Sequence, residues 1–181
     1  MNFPQPPIHA APIAGILPWV QWFSQTVANL ITLSTSVDTL QTSVNALSTG
    51  PAFSAYQSTL QALPVNTFTK MLFQTEEFDT NNNYDTATSR FTPTVAGYYQ
   101  VNACYQIAPT ACQLICAVYK NGAVYKYGGV PTAAALATVS AIVLCNGTTD
   151  YIEIFTSTGV AQNSIATAAP TYFQAAMIRP A

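Results

Sequence analysis

Charge is what this sequence has least of. Lys and Arg number 5 and Asp and Glu 7, together 7% of the chain, against about 25% in an average soluble domain. They are Asp38, Lys70, Glu76, Glu77, Asp79, Asp85, Arg90, Lys120, Lys126, Asp150, Glu153 and Arg179, with no basic cluster among them. Nucleic-acid binding, which relies on several cations meeting phosphates on one face, is therefore not expected. A surface made of Ser, Thr, Asn and Gln suits a protein that buries much of itself against copies or neighbours.

Histidine is almost absent too. The single one, His9, lies near the N-terminus, which leaves no Ser-His-Asp or Cys-His arrangement for the rest of the chain. Carboxylate pairs could be drawn from Glu76, Glu77, Asp79, Asp85, Asp150 and Glu153, but acids in Asn-rich turns ordinarily build the turn. Asp79, Asn81, Asn83 and Asp85 alternate like the start of a calcium loop. Tyr84 then stands where that loop needs glycine, and Arg90 where it needs its last glutamate, so a structural turn is expected. No catalytic residue, cofactor or metal is predicted.

No residue before Asp38 carries a full charge, so the cationic start of a secretory signal is missing and export by that route is not expected. The apolar stretch from Ile13 to Leu33 is broken by Pro18, Gln21, Ser24, Gln25, Thr26 and Asn29, which argues against a membrane span. Cys104, Cys112, Cys116 and Cys145 complete no familiar zinc spacing and are expected to be buried thiols. Asn146, Gly147 and Thr148 form a glycosylation acceptor, relevant only in a eukaryotic secretory route.

Four segments follow from what is present. Residues 1–18 carry Pro4, Pro6, Pro7, Pro12 and Pro18 and read as an extended arm. Phe3, Ile8, Ile13, Trp19 and Trp22 are its expected docking anchors on a larger partner. Residues 19–49 read as a helical stalk. Val27, Leu30, Leu33, Val37, Leu40, Val44 and Leu47 follow spacings of three and four, a coiled-coil seam in which the step from Leu30 to Leu33 resembles a stammer. Val at a and Leu at d favour two strands in model peptides, so the head is expected to set the oligomeric state. Gly50 and Pro51 stop the helix, and residues 50–63 read as a connector.

Residues 64–181 change to period two. From Gly97, Tyr99, Val101, Ala103, Tyr105 and Ile107 point one way and Tyr98, Gln100, Asn102, Cys104 and Gln106 the other. Further strands are expected at Thr67–Thr75, Cys112–Lys120, Ala123–Tyr127, Ala137–Cys145, Tyr151–Thr156 and Thr171–Ile178, with a tight Asn121-Gly122 hairpin between two of them. Many short strands without helices between them predict a mainly β, antiparallel sandwich or jelly roll.

Phe73, Asp79, Tyr84, Phe91, Gly97 and Tyr99 follow a spacing that resembles the signature of the globular head of complement subcomponent q. The family shares a trimeric jelly roll with tumour necrosis factor. The resemblance covers about Leu63 to Ile178, and departs where Val101 and Ala103 replace aromatic residues. It implies three heads about one axis, with apolar residues buried between them, and names no ligand.

Arm, stalk and head in that order, on a charge-poor chain without catalytic residues, predict a homotrimeric virion structural protein, most plausibly of a bacterial virus. It would be a head or tail fibre, spike or decoration protein. Its partners would be itself, capsid or tail proteins through the arm, and a host-surface glycan or protein at the head. The rivals are a secreted or cell-surface ligand of the complement and necrosis-factor type and a carbohydrate-binding module.

Overall fold

The structure, a computed structural model, describes Gln5 and residues 16–48, 50–108 and 111–181. Phe3, Ile8 and Ile13 lie outside the described residues. The chain forms two compact units, residues 1–45 and 46–181.

The first unit is built on one helix, α1, Ile16–Ser48. It starts earlier than the stalk boundary at residue 19 and takes in Pro18, because proline in a first turn gives up an N–H that has no helical acceptor. Trp19 and Trp22, expected in the arm, are thus helical. Trp22 packs edge-on against Trp19 and Phe23, with ring centroids 5.7 and 5.0 Å apart. The helix has no acid in its first turn and no base in its last. Its polar face uses hydroxyls instead, which donate to carbonyls one turn back: Thr32 to Ala28, Thr35 to Ile31, Ser36 to Thr32, Thr39 to Thr35, Thr42 to Asp38 and Ser43 to Thr39.

The second unit is two antiparallel sheets. Its strands in chain order are β1 Ala52–Tyr56, β2 Ala62–Leu63, β3 Thr69–Lys70, β4 Thr75–Asp79, β5 Tyr84–Asp85, β6 Arg90–Phe91 and β7 Ala96–Ala108. They continue with β8 Leu114–Lys120, β9 Ala123–Tyr127, β10 Leu136–Asn146, β11 Ile152–Thr158, β12 Gln162–Ser164 and β13 Tyr172–Pro180. The first sheet runs β2-β12-β7-β13-β1-β4, with β10 paired to β7 as well. The second runs β5-β6-β11-β8-β9, with β3 also on β11.

The alternation expected along β7 is present: Tyr99, Val101, Ala103, Tyr105 and Ile107 are all buried in the core. Val101 and Ala103, smaller than the family pattern expects, fill their places without exposure. Asn121 and Gly122 make the predicted hairpin, with φ of 55° and 79°.

Two expectations fail. Residues 50–63 are not a connector, because β1 lies inside the first sheet between β13 and β4. Phe53 is its anchor, stacked 4.6 Å from Tyr84 and from Phe91 and edge-on 4.8 Å from Phe173. Thr67–Thr75 is not one strand either. There the chain crosses from β3 in the second sheet to β4 in the first, and Met71 and Phe73 enter the core between them. The crossing is fixed by Met71 N–H on the Ile154 carbonyl and Phe73 N–H on the Ser89 hydroxyl.

Polar side chains tie the loops. Asp79 accepts from the Tyr84 and Asn81 N–H groups at 2.6 and 3.2 Å, and the Asn83 carbonyl oxygen Oδ1 accepts from Thr94 N–H at 2.9 Å. At the far end, Asp150 joins two turns: Asn121 Nδ2 donates to it at 2.7 Å, Asn146 N–H at 2.9 Å, and Lys120 pairs with it at 2.9 Å. The Asn121 bond, then Lys120, hold its carboxyl below the ordinary 3.8.

Phe53→Ala should lower head stability by about 3–5 kcal/mol, read by denaturant unfolding, whereas Leu60→Ala, at a side chain 64% exposed, should change it by less than about 0.5 kcal/mol. Because the Asp150 carboxyl is depressed in the folded protein, its stabilisation is present above the unfolded value and disappears as pH falls through the folded one. The stability gap between wild type and Asp150→Asn should therefore be full at about pH 6 and close between about pH 4 and pH 2, measured by thermal unfolding across that range.

Candidate assembly interface

Among the described residues, the apolar side chains of α1 stand exposed. Val27, Leu30, Leu33, Val37, Leu40 and Val44 are between 41% and 65% exposed; Leu47 continues the helix, with only its backbone described. A helix of 33 residues, rich in Ser and Thr and without end charges, draws its stability from packing an apolar face rather than from propensity.

The outer face of the first sheet is the next such surface. Register places Ala52 beside Ala176, Gln174 beside Asn102, Gln100 beside Ile142 and Tyr98 beside Leu144. Phe78 projects from β4, 52% exposed. A shallow depression lies among Ala52, Phe78, Gln100, Asn102, Gln174 and Ala176. Gln100 Nε2 donates to Ser140 Oγ at 2.8 Å and to Asn102 Oδ1 at 3.2 Å, so amides order the centre of the face while apolar groups flank it. The sequence signal for it was the second face of β7, where Gln100 and Asn102 alternate with the core residues.

The third surface is an edge. Among the described strands β10 pairs only with β7, and its 11 residues, LATVSAIVLCN, contain neither charge nor proline. Leu136, Ile142 and Leu144 stand exposed along it, and the Tyr125 hydroxyl crosses from β9 to donate to the Ile142 carbonyl at 3.2 Å. Proteins usually protect long edges with Lys, Pro, bulges or a cover. β10 has that tyrosine and, further along, the backbone at Gly128, so close that a Cβ there would meet the Thr138 carbonyl oxygen.

The signature residues do something else: they build the core. Phe73, Tyr84, Phe91 and Tyr99 are buried, and the Tyr84 and Tyr99 hydroxyls donate to the Phe73 and Val95 carbonyls at 2.8 and 2.7 Å. Gly97 admits β13, since a Cβ there would lie 2.7 Å from the Arg179 carbonyl oxygen. Asp79 is the loop tie already described.

The remaining chemistry is structural. Asp85 accepts from Ala87 N–H and the Thr88 hydroxyl, and these bonds hold its carboxyl below 3.8. The four cysteines are free and buried. Burial pushes the Cys104 and Cys145 thiols up to about 11 and Cys116 up as well, which keeps them protonated and unreactive at neutral pH. Among the described residues no three His, Cys, Asp or Glu side chains gather, and no helix is long and apolar enough to cross a membrane.

No protein-family model matches the chain, and no curated protein matches it. Solved structures do. The globular domain of zebrafish complement 1qA superposes with a TM-score of 0.55 at 15% identity, over 72% of this chain and 98% of that one. Murine APRIL gives 0.58 at 8% identity, over 71% and 98%, and the vertex protein P5 of PRD1 gives 0.55 at 15% identity, over 71% and 97%. At these identities the likeness is one of fold: residues 46–181 are a jelly roll of the kind seen in complement heads, tumour-necrosis-factor ligands and a phage vertex protein.

Proposed function

We propose that this chain is the subunit of a homotrimeric virion spike or fibre, anchored through its N-terminal arm and presenting the jelly-roll head. The observation that carries the reading is the charge-free edge of β10 beside an apolar-flanked sheet face. The β10 end of that sheet and its β1–β4 end are different regions of one chain, so a contact between them is heterologous, and it gives a ring where its rotation closes. Three copies are what the complement-like signature implies. In such a ring Ile142 and Leu144 of one head cover the Phe78 and Ala176 region of the next. The seam of α1 meets the same seam in the other copies, forming the stalk.

The virion setting draws on the likeness to the PRD1 vertex protein and on the anchor-stalk-head order. The arm, with Phe3, Ile8, Ile13, Trp19 and Trp22, takes the role of attachment to capsid or tail proteins. A secreted ligand of the same fold is the rival, and two features weigh against it. The Asn146 Nδ2, the atom that would carry a glycan, donates to the Thr149 hydroxyl at 2.8 Å, while its Oδ1 is held by the Thr148, Thr149 and Asp150 N–H groups. The thiols are buried and unpaired.

Sedimentation of the full chain at about micromolar concentration should give a trimer, and Ile142→Lys with Leu144→Lys should shift it toward monomer while the head stays folded, since burying unpaired charges costs several kcal/mol. A wild-type monomer overturns the reading. Virions assembled with a chain lacking residues 1–15 should lose the protein; retention removes the arm from the attachment.

A further inference from the structure

The outer face of the second sheet is unlike the surfaces assigned to assembly. Tyr119 on β8 and Phe155 on β11 stand on that face, since they alternate with the core residues Val118, Ile152 and Ile154. Their rings stack with centroids 3.9 Å apart. Phe68 lies 6.3 Å from Tyr119 and 5.8 Å from Tyr127, which extends the strip to β9. Tyr127 is 54% and Phe68 37% exposed. Contiguous exposed rings are costly in water unless they serve a contact.

Beside the strip lies a carboxylate in an unusual state. Glu153, directly opposite Tyr119 in the sheet, is only 4% exposed. Lys70 Nζ donates to it at 2.9 Å, and Arg90 Nε and Nη2 at 3.2 and 3.0 Å. All three bonds end on Oε1, so two cations fix the group while its other oxygen keeps acceptor capacity. The Arg90 guanidinium lies 3.8 Å over the Tyr151 ring, which holds it in place. Asp85 faces Arg90 across the β5–β6 pair, so the four charges, Lys70, Arg90, Glu153 and Asp85, cancel.

We infer that this face is a saccharide-binding surface, taking the apolar face of neutral sugar rings on the Phe68, Tyr119, Tyr127 and Phe155 strip and their hydroxyls on the Lys70–Glu153–Arg90 group. The ligand must offer a flat apolar face together with hydroxyl donors and acceptors, and it must match a face without net charge. A neutral oligosaccharide meets both conditions. A polyanion does not, because Lys70 and Arg90 are held by Glu153, and among the described cations here Lys126 alone, beside Tyr127 on β9, is left outside an ion pair. An apolar peptide seated here would cover the second Glu153 oxygen and offer it no donor. The inference rests on the reading of the head as the exposed end of a surface spike and gives that head its receptor class.

The test uses the full chain on an array of neutral gluco-, galacto- and manno-oligosaccharides and their carboxylated counterparts, with sedimentation and thermal unfolding of the same samples. Wild type should bind at least one neutral series in preference to its carboxylated form. Tyr127→Ser and Phe68→Ser should each weaken that binding about tenfold without changing the oligomer, and Leu60→Ser should leave it intact. Binding to no neutral series, preference for the carboxylated series, equal binding by Tyr127→Ser, or a change of oligomer in Tyr127→Ser each overturn the inference. A trimer that binds no sugar leaves the spike reading standing; a monomer that binds one leaves only the saccharide site.

Discussion

Phe53 joins the ends of the head to its middle. One ring contacts Tyr84 and Phe91 in the second sheet and Phe173 in the last strand, so packing it fixes both the spacing of the sheets and the place of β1 between β13 and β4. Everything on the outer face of the first sheet inherits that position. Ala52, Gln174 and Ala176 are neighbours there only because Phe53 and Phe173 hold β1 and β13 in register from beneath. A core of such rings also explains how a head with so few ion pairs can be stable: each buried ring removes roughly 150–250 Å² from water.

Most of the scarce cations are engaged within the chain. Lys70 and Arg90 share Glu153, Lys120 serves Asp150, and Arg179 lies 4.3 Å over the Tyr98 ring. Little charge remains to repel another copy, and the net charge is only −2. Solubility then depends on amides and hydroxyls, several of which are already satisfied within the chain, as along the polar face of α1. Self-association meets low electrostatic resistance under these conditions. The charge-free edge of β10 follows the same logic, because a single lysine on it would oppose the contact proposed for it.

Much of the head was legible because its period is simple. β7 alternates along its thirteen residues with one break, at Cys104, which is buried between Ala103 and Tyr105, and Asn121-Gly122 specifies its own turn. The signature residues were legible as a spacing, and the structure shows why the spacing exists: the rings meet in one core, and Gly97 lets β13 approach. β1 was hidden, since AFSAY follows a Gly-Pro stop and is too short for period two to stand out. Its signal was Phe53 set between the small residues Ala52 and Ser54. The broken segment from β3 to β4 was hidden for another reason. A chain passing between sheets keeps apolar residues at Met71 and Phe73 in the rhythm of a strand, and only the Ser89 hydroxyl, distant in sequence, shows that the ladder has stopped. The aromatic strip was missed because Phe68, Tyr119, Tyr127 and Phe155 come from four separate segments that only the sheet brings together.

The proposed stalk presents a conflict between levels. Val37 and Val44 at a with Leu33 and Leu40 at d favour a pair of helices, whereas a ring of heads calls for three. Isolated, such a seam would associate weakly, since the helix lacks end charges, contains many Ser and Thr, and changes register near Leu30. In the proposed assembly the helices are not isolated. Each is joined to its head through residues 49–51, so a ring of heads holds their ends at an effective concentration on the order of millimolar. At that concentration a weak preference for two is overruled by the geometry of the edge-to-face contact. The number of helices follows from the number of heads, and the seam has only to be apolar, which is what its exposed valines and leucines provide.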